Sequence, residues 1–363
     1  MTHVSATTSW EGYCQAELRI LRPLLAAHGF ALEETQVHLG GERAVISGKK
    51  LVLLGTRLKD QQRVVIKASS HAEGQKEMRE GHAARLLLDS LDFAYKAFLA
   101  PEELGWYEEQ GCLISITAFI EQSQTFLERP FKEQFFLAMK AFETQESAHA
   151  ATYEHVQMIR HGFRVHDTQT YIKLFTIYRE KVCHDLSDKP AVNALFDQAQ
   201  QLLESNQERI EQYNGFLTHT DFVPHNIRIV GRDIYLLDHY SILFGNKYEG
   251  WARFLNFMLL YHRDLEQALL KYVKDNRAAE EYEALQLMRI FRLGELIWYY
   301  VSRLEKTEGD LHKLDKARVF FWIDALESIV TNHPLSQERI SAYQTLRDQL
   351  RSNEEKQRQQ KLH

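Results

Sequence analysis

Two hydrophobic periods divide this 363-residue chain. Up to about residue 120 the apolar residues come mostly in short β-type runs separated by turn residues, and beyond Phe131 they recur at helical spacing almost throughout. Strands gathered at one end and helices at the other predict an α+β protein. The length suits two lobes, at roughly 100–200 residues per domain.

In the first part, Tyr13, Leu18, Leu21, Leu24 and Leu25 predict a leading helix from Trp10 to about His28, with Gly29 as its C-terminal cap and a bend at Pro23. The runs Gln36–Leu39, Leu51–Leu54 and Val64–Ile66 predict a three-stranded antiparallel meander, and Leu104–Tyr107 and Cys112–Ile120 two further strands. Between them Glu73–Leu88 carries its apolar positions on one helical face. Later helices are expected over 132–160 and 167–213, and from Trp251, Glu280 and Asp315. The division this predicts is an N-terminal lobe of residues 1–120, a helical lobe of 121–336, and over 337–363 a final helix fraying into a disordered tail.

Composition narrows the function. Forty-four Lys and Arg against fifty Asp and Glu give a net charge of −6, without the basic footprint that a nucleic-acid backbone calls for. No apolar run approaches the ~18 residues that span a bilayer, and the N-terminus has no signal-peptide pattern. Cys14, Cys112 and Cys183 are too scattered for a disulfide framework or a zinc or redox pair, which points to a reducing cytoplasm. His149, His155, His161 and His166 lack the spacing of a zinc motif and are expected to be structural. The sequence does not fix an oligomeric state.

One stretch breaks the helical pattern, Phe216 to Asp238. It holds His219, Asp221 and Asn226, then two short strands, 226–230 and 234–237, joined by a hairpin turn at Gly231-Arg232-Asp233, and then Asp238. A hairpin brings its two ends together, so Asn226 and Asp238 should meet. Together they offer hard oxygen ligands suited to Mg²⁺, with a carboxylate left to orient or deprotonate a hydroxyl. The plainer reading is that Asp221 and Asn226 cap a turn and Asp238 opens a loop. Lys67, closing the apolar run Val64-Val65-Ile66, is followed by a helix whose Glu80, or else Glu77 or Glu73, could pair with it and aim its ammonium at a phosphate.

These residues, taken together, resemble the aminoglycoside phosphotransferase and choline kinase superfamily of small-molecule kinases, which have a protein-kinase-like two-lobe fold. The resemblance spans roughly Leu39 to Asn256 and is carried by His219, Asp221, Pro224 and Asn226, by Leu236-Leu237-Asp238, by Lys67, and by Arg79-Glu80. It implies an antiparallel β-sheet lobe with one helix and a mainly helical catalytic lobe. It also implies ATP and Mg²⁺ as cofactors and a small-molecule hydroxyl acceptor such as an amino alcohol, amino sugar or aminoglycoside.

On that resemblance Asp221 would position or deprotonate the acceptor hydroxyl with His219 supporting the loop. Asn226 and Asp238 would hold Mg²⁺. Lys67, paired to Glu80, would contact ATP phosphates, and Gly40-Gly41-Glu42-Arg43-Ala44 would cover them. The backbone of 116–120, with Thr117 and Phe119, would meet adenine. Thr220 stands where the family commonly has Gly, and His239-Tyr240 follow Asp238 where the family's Gly and Asp are displaced to Gly245-Asn246. A catalytically silent nucleotide-binding protein of the same fold is the alternative. Trp251, Arg253, Asn256 and Tyr261 are candidates to line an acceptor pocket, and Asp264, Glu266 and Glu295 to attract a cationic one.

Overall fold

The computed structural model describes residues 10–40, 50–91, 99–150 and 152–362. The chain divides into two compact units, Met1–Ala83 with Ala100–Gln122 and Ser352–His363, and Ala84–Leu99 with Ser123–Arg351.

The first unit is built on helix α1 (Trp10–Ala27) and strands β1 (Phe30–Leu32), β2 (Leu51–Arg57), β3 (Gln62–Ser69), β4 (Glu103–Glu109) and β5 (Cys112–Ala118). The strands form one antiparallel sheet in the order β1-β2-β3-β5-β4. Alternation sends Leu51, Leu53, Val64, Ile66, Ala68, Ile114 and Ile116 to one face, where they meet Cys14, Leu18, Leu21, Leu24 and Leu25 of α1 in one apolar core. Val52, Val65, Lys67, Ser115 and Thr117 therefore face the other way. Helix α2 (Ala72–Ser90) connects β3 towards β4.

The expected strand at Gln36–Leu39 is absent, and Val37–Leu39 is a 3₁₀ turn. The Gln36 side chain explains the exchange. Its Nε2 donates to Leu54 O and its Oε1 accepts from Leu54 N, both at 2.8 Å, so an amide side chain makes the bonds a strand residue would have made. Helix α12 (Gln337–Leu350) is capped by Ser336, and a further helix α13 (Asn353–Leu362) follows in which Glu355 is buried.

The second unit holds helices α3 (Phe131–Glu146), α4 (Tyr153–Gly162), α5 (Thr168–Asp185), α6 (Pro190–Ser205), α7 (Gln207–Gln212), α8 (Tyr248–Tyr261), α9 (Arg263–Asn276), α10 (Ala279–Leu304) and α11 (Gly309–Val330), together with α12. The two long helical stretches expected from sequence are broken. Thr152 caps α4 by accepting from His155 N at 3.1 Å, and Pro190, which has no N–H to give, starts α6. Among the helices run strands β6 (Arg164–Val165), β7 (Phe216–His219) and β10 (Ile242–Gly245), in the order β6-β10-β7, and the hairpin β8 (Ile227–Val230) and β9 (Asp233–Leu236). The hairpin closes through Gly231-Arg232, with Gly231 at φ 60°, a sign that suits two-residue hairpin turns. No helix among the described residues is long and apolar enough to cross a membrane.

Candidate functional site

The run expected to carry chemistry folds as β7, a tight loop, the hairpin β8-β9, and a second loop through Asp238. His219, fully buried, ends β7; its Nε2–H donates to Leu237 O at 2.8 Å, and its backbone N–H donates to Gln145 Oε1 at 3.1 Å. Thr220 donates from both N and Oγ1 to Ser241 O, at 2.8 and 2.9 Å. A glycine at that position would keep only the first bond, so the threonine adds a tie between the two loops. Gly250 of α8 lies against the same run: a Cβ there would stand 3.0 Å from Thr218 Oγ1 and 3.1 Å from His219 O.

Asp221, Asn226 and Asp238 are brought together. Asn226 Nδ2 donates to Asp221 O at 2.9 Å and to Asp221 Oδ2 at 2.8 Å, while Asn226 O accepts from Leu237 N at 2.8 Å, next to Asp238. The other Asp221 oxygen, Oδ1, is taken by Arg253 of α8, whose Nε and Nη2 both stand at 3.0 Å. Crowding by protein pushes the Asp221 pKa up, but Arg253, then His225 and His219, more than offset this against the opposing charge of Asp238, so the net shift is downward. Asp221 is an ionised, oriented carboxylate rather than a strong base.

Asp238 adopts the left-handed conformation, φ 59° and ψ 60°, which costs a non-glycine residue roughly 1–2 kcal/mol and which Asp tolerates better than most. Strain kept at a polar loop residue is typical of functional sites. Ser241 Oγ steadies its Oδ2 at 3.1 Å. The donor set fits Mg²⁺: Asn226 spends its amide nitrogen on Asp221 and so offers its oxygen, and Asp238 adds a carboxylate, both hard ligands. Among the described residues no cluster of three or more His, Cys, Asp or Glu makes an all-protein metal cage, and Mg²⁺ held by one or two side chains plus phosphate oxygens does not need one.

In the first unit, Lys67 is half-buried on the sheet face away from α1, level with Val52 and Ser115, and Thr117 lies on the same face. Glu80 is exposed and sits 3.8 Å from Lys76 on its own helix. Glu77 is the glutamate that α2 turns inward, with Gly74 and Met78 at helical spacing, and it pairs with Lys50. At the adenine-binding backbone expected around Phe119, the Ala118 amide donates to Glu102 O at 2.8 Å and the Phe119 amide to Arg63 O at 3.1 Å. Those amides are spent within the unit. Gly40 ends the 3₁₀ turn in extended conformation; Gly41 and the rest of the expected phosphate cover lie outside the described residues.

No protein-family model matches the chain, and no curated protein matches it in sequence. Solved structures do match. The GDP and kanamycin complex of APH(2")-IIia aligns at 14% identity with TM-score 0.57, over 89% of this chain and 99% of that one. Aminoglycoside phosphotransferase APH(4)-Ia aligns at 14% identity with TM-score 0.55, over 89% of this chain and all of that one. The streptomycin and ATP complex of APH(2")-IIa aligns at 13% with TM-score 0.51, over 91% and 99%. The chain has the aminoglycoside-phosphotransferase fold.

Within that fold Trp251, Asn256 and Glu266, expected near an acceptor, are buried in the core, and Tyr261 is half-buried against it. Trp251 is fully buried and stacks on Phe142 at 3.9 Å. Asn256 and Glu266 are buried around Arg289, which donates to Asn256 Oδ1 at 2.9 Å and to Glu266 Oε1 at 2.6 Å. Tyr261 stacks on Phe257 at 4.1 Å. The period of an apolar helix does not distinguish a pocket wall from a core. Arg253 is the one of the four that reaches Asp221.

Behind Arg253 the same fold encloses a polar cluster that the sequence did not disclose. Glu249, with no exposure, accepts from Tyr171 Oη at 2.6 Å and from Arg292 Nη1 at 3.1 Å, and Arg292 also meets Glu295 at 2.6 Å. His166 Nδ1 lies 3.9 Å from Glu249. Burial, with Arg164 and Arg292, pushes the His166 pKa down from 6.5 to about 4, so the folded protein keeps it neutral. Between those two values the unfolded chain binds the proton and the folded one does not. Stability supplied by His166 is therefore full above pH 6.5 and is lost as the pH falls towards 4. A series of melting curves across that range should show the midpoint falling with acid, and His166→Phe should flatten the slope. An unchanged slope would rule His166 out as its source.

Proposed function

We propose that the protein is a phosphotransferase that moves the γ-phosphate of ATP, with Mg²⁺, to a hydroxyl of a small molecule. The observation that carries the reading is the Asp221–Asn226 bond, which fixes a carboxylate and commits the Asn226 amide nitrogen, so that its amide oxygen is the atom left to serve as a ligand. Asp221 orients the acceptor hydroxyl and receives its proton late in transfer. In a loose, metaphosphate-like transition state the proton leaves late, so a carboxylate with a lowered pKa suffices. Asn226 and Asp238 are the metal-holding pair; Mg²⁺ bound there would offset charge on the phosphate oxygens. Arg253 keeps Asp221 ionised and fixes its orientation.

Lys67 and Thr117 lie on the sheet face assigned to the nucleotide, with the adenine-contacting backbone at 120–122, beyond the amides already spent. Hygromycin, kanamycin and streptomycin stand in complexes of proteins with this fold, so amino sugars and amino alcohols are the first acceptors to try. A second reading, a nucleotide-binding protein without turnover, draws support from the occupation of both Asp221 oxygens by Asn226 and Arg253. Calorimetric titration with ATP, ADP and GTP, with and without Mg²⁺, tests the shared part of both readings. Binding that needs Mg²⁺ and weakens about tenfold or more in Asp238→Asn is the expected result. Nucleotide binding indifferent to both Mg²⁺ and Asp238 would remove the metal assignment.

A further inference from the structure

Lys50 is an unusual residue to find enclosed. It is 9% exposed, it stands one position before β2, and its ammonium pairs with Glu77 of α2. Lysine is almost never so buried unless paired, and a hydrophobic pair of similar size would tie a helix to a sheet at lower desolvation cost. A retained ammonium in that place needs a further use.

Its position supplies one. Leu51 faces the α1 core, so alternation sends Lys50 to the opposite face, the face of Lys67. In register, Leu51 stands opposite Ala68 and Val52 opposite Lys67; one step back, Lys50 falls opposite Ser69. Lys50 and Lys67 are then diagonal neighbours on adjacent strands, about 7–8 Å apart at the backbone, close enough for two long side chains to meet on one polyphosphate.

We propose that Lys50, held by Glu77, is a phosphate-binding lysine of the nucleotide site that acts with Lys67. The inference rests on the nucleotide-binding reading above. Its ligand is the polyphosphate of a nucleoside di- or triphosphate.

The test is calorimetric binding of ATP, ADP and adenosine, in the presence of Mg²⁺, to wild type, Lys50→Met, Lys67→Met, Glu77→Gln and the double variant Lys50→Met with Glu77→Gln, each checked for folding by its melting curve. Lys50→Met should weaken ATP and ADP about tenfold or more, the scale of one lost charge-assisted bond, and leave adenosine unchanged. If Lys50 only balances Glu77, the double variant, which removes both charges, regains ATP affinity; on the proposal it recovers thermal stability and stays weak for ATP. ATP affinity within about twofold of wild type in Lys50→Met, or restored in the double variant, would overturn the assignment. A wild type that binds none of the three ligands would instead defeat the nucleotide reading.

Discussion

Asp221→Asn should lower phosphoryl transfer by roughly 10²–10⁴-fold, the usual contribution of a positioned proton acceptor, while nucleotide affinity stays close to wild type. The substitution keeps the shape but changes what each atom can do. The asparagine oxygen can still accept from Asn226 Nδ2, now 2.8 Å from Asp221 Oδ2. Its NH₂ group would then face Arg253, donor against donor, where Oδ1 now accepts from Nε at 3.0 Å. The acceptor hydroxyl loses the group that would take its proton, and Arg253 loses the charge that holds it. Asp221 is 40% exposed, so the fold should tolerate the change. Coupled detection of ADP release, with the acceptor that turns over best, reads the effect. A variant whose turnover stays within a few-fold of wild type would show that Asp221 has no part in proton transfer.

Glu249→Ala should have the largest effect on stability, roughly 3–5 kcal/mol, because it strips a partner from a buried arginine. Arg292 has 10% side-chain exposure and would be left with Glu295 alone, while the Tyr171 hydroxyl would lose its acceptor at 2.6 Å. In a chain of this size such a loss corresponds to a melting midpoint lower by roughly 5 °C. Burial pushes the Glu249 pKa up even against Arg292, so the charge itself is held at some cost. Glu249→Gln, which keeps an acceptor for Tyr171, should therefore lose clearly less than Glu249→Ala. Equal losses from the two would mean that the carboxylate charge facing Arg292, which both variants lack, is what the cluster needs.

The sequence disclosed those parts of this structure that rest on short range. Asp221 and Asn226 are five residues apart in one loop and bond to each other directly, so their spacing already contained the contact. The hairpin between Asn226 and Asp238 follows from two apolar runs and Gly231, and the sheet of the first unit from period-two runs ended by turns. The misplaced features depend on partners far along the chain. Arg253 reaches Asp221 across 32 residues, and Gln145 reaches His219 across 74. Gln36 replaces a strand because Leu54 presents it with a backbone edge 18 residues away. The inward turn of Glu77 was in principle legible, since Gly74, Glu77 and Met78 share one face of α2 while Glu80 turns outward. What hid it was reading the lysine by its strand instead of the glutamate by its helix.

The central claim is transfer of a phosphoryl group to a hydroxyl, and mass spectrometry of an acceptor incubated with the protein, ATP and Mg²⁺ tests it most directly. A panel of amino alcohols, amino sugars and aminoglycosides should contain an acceptor that gains one phosphoryl group with wild type and not with Asp221→Asn. Mg²⁺-dependent nucleotide binding with no acceptor phosphorylated anywhere in the panel would contradict the account in favour of a silent nucleotide-binding protein, and equal product from Asp221→Asn would contradict the mechanism.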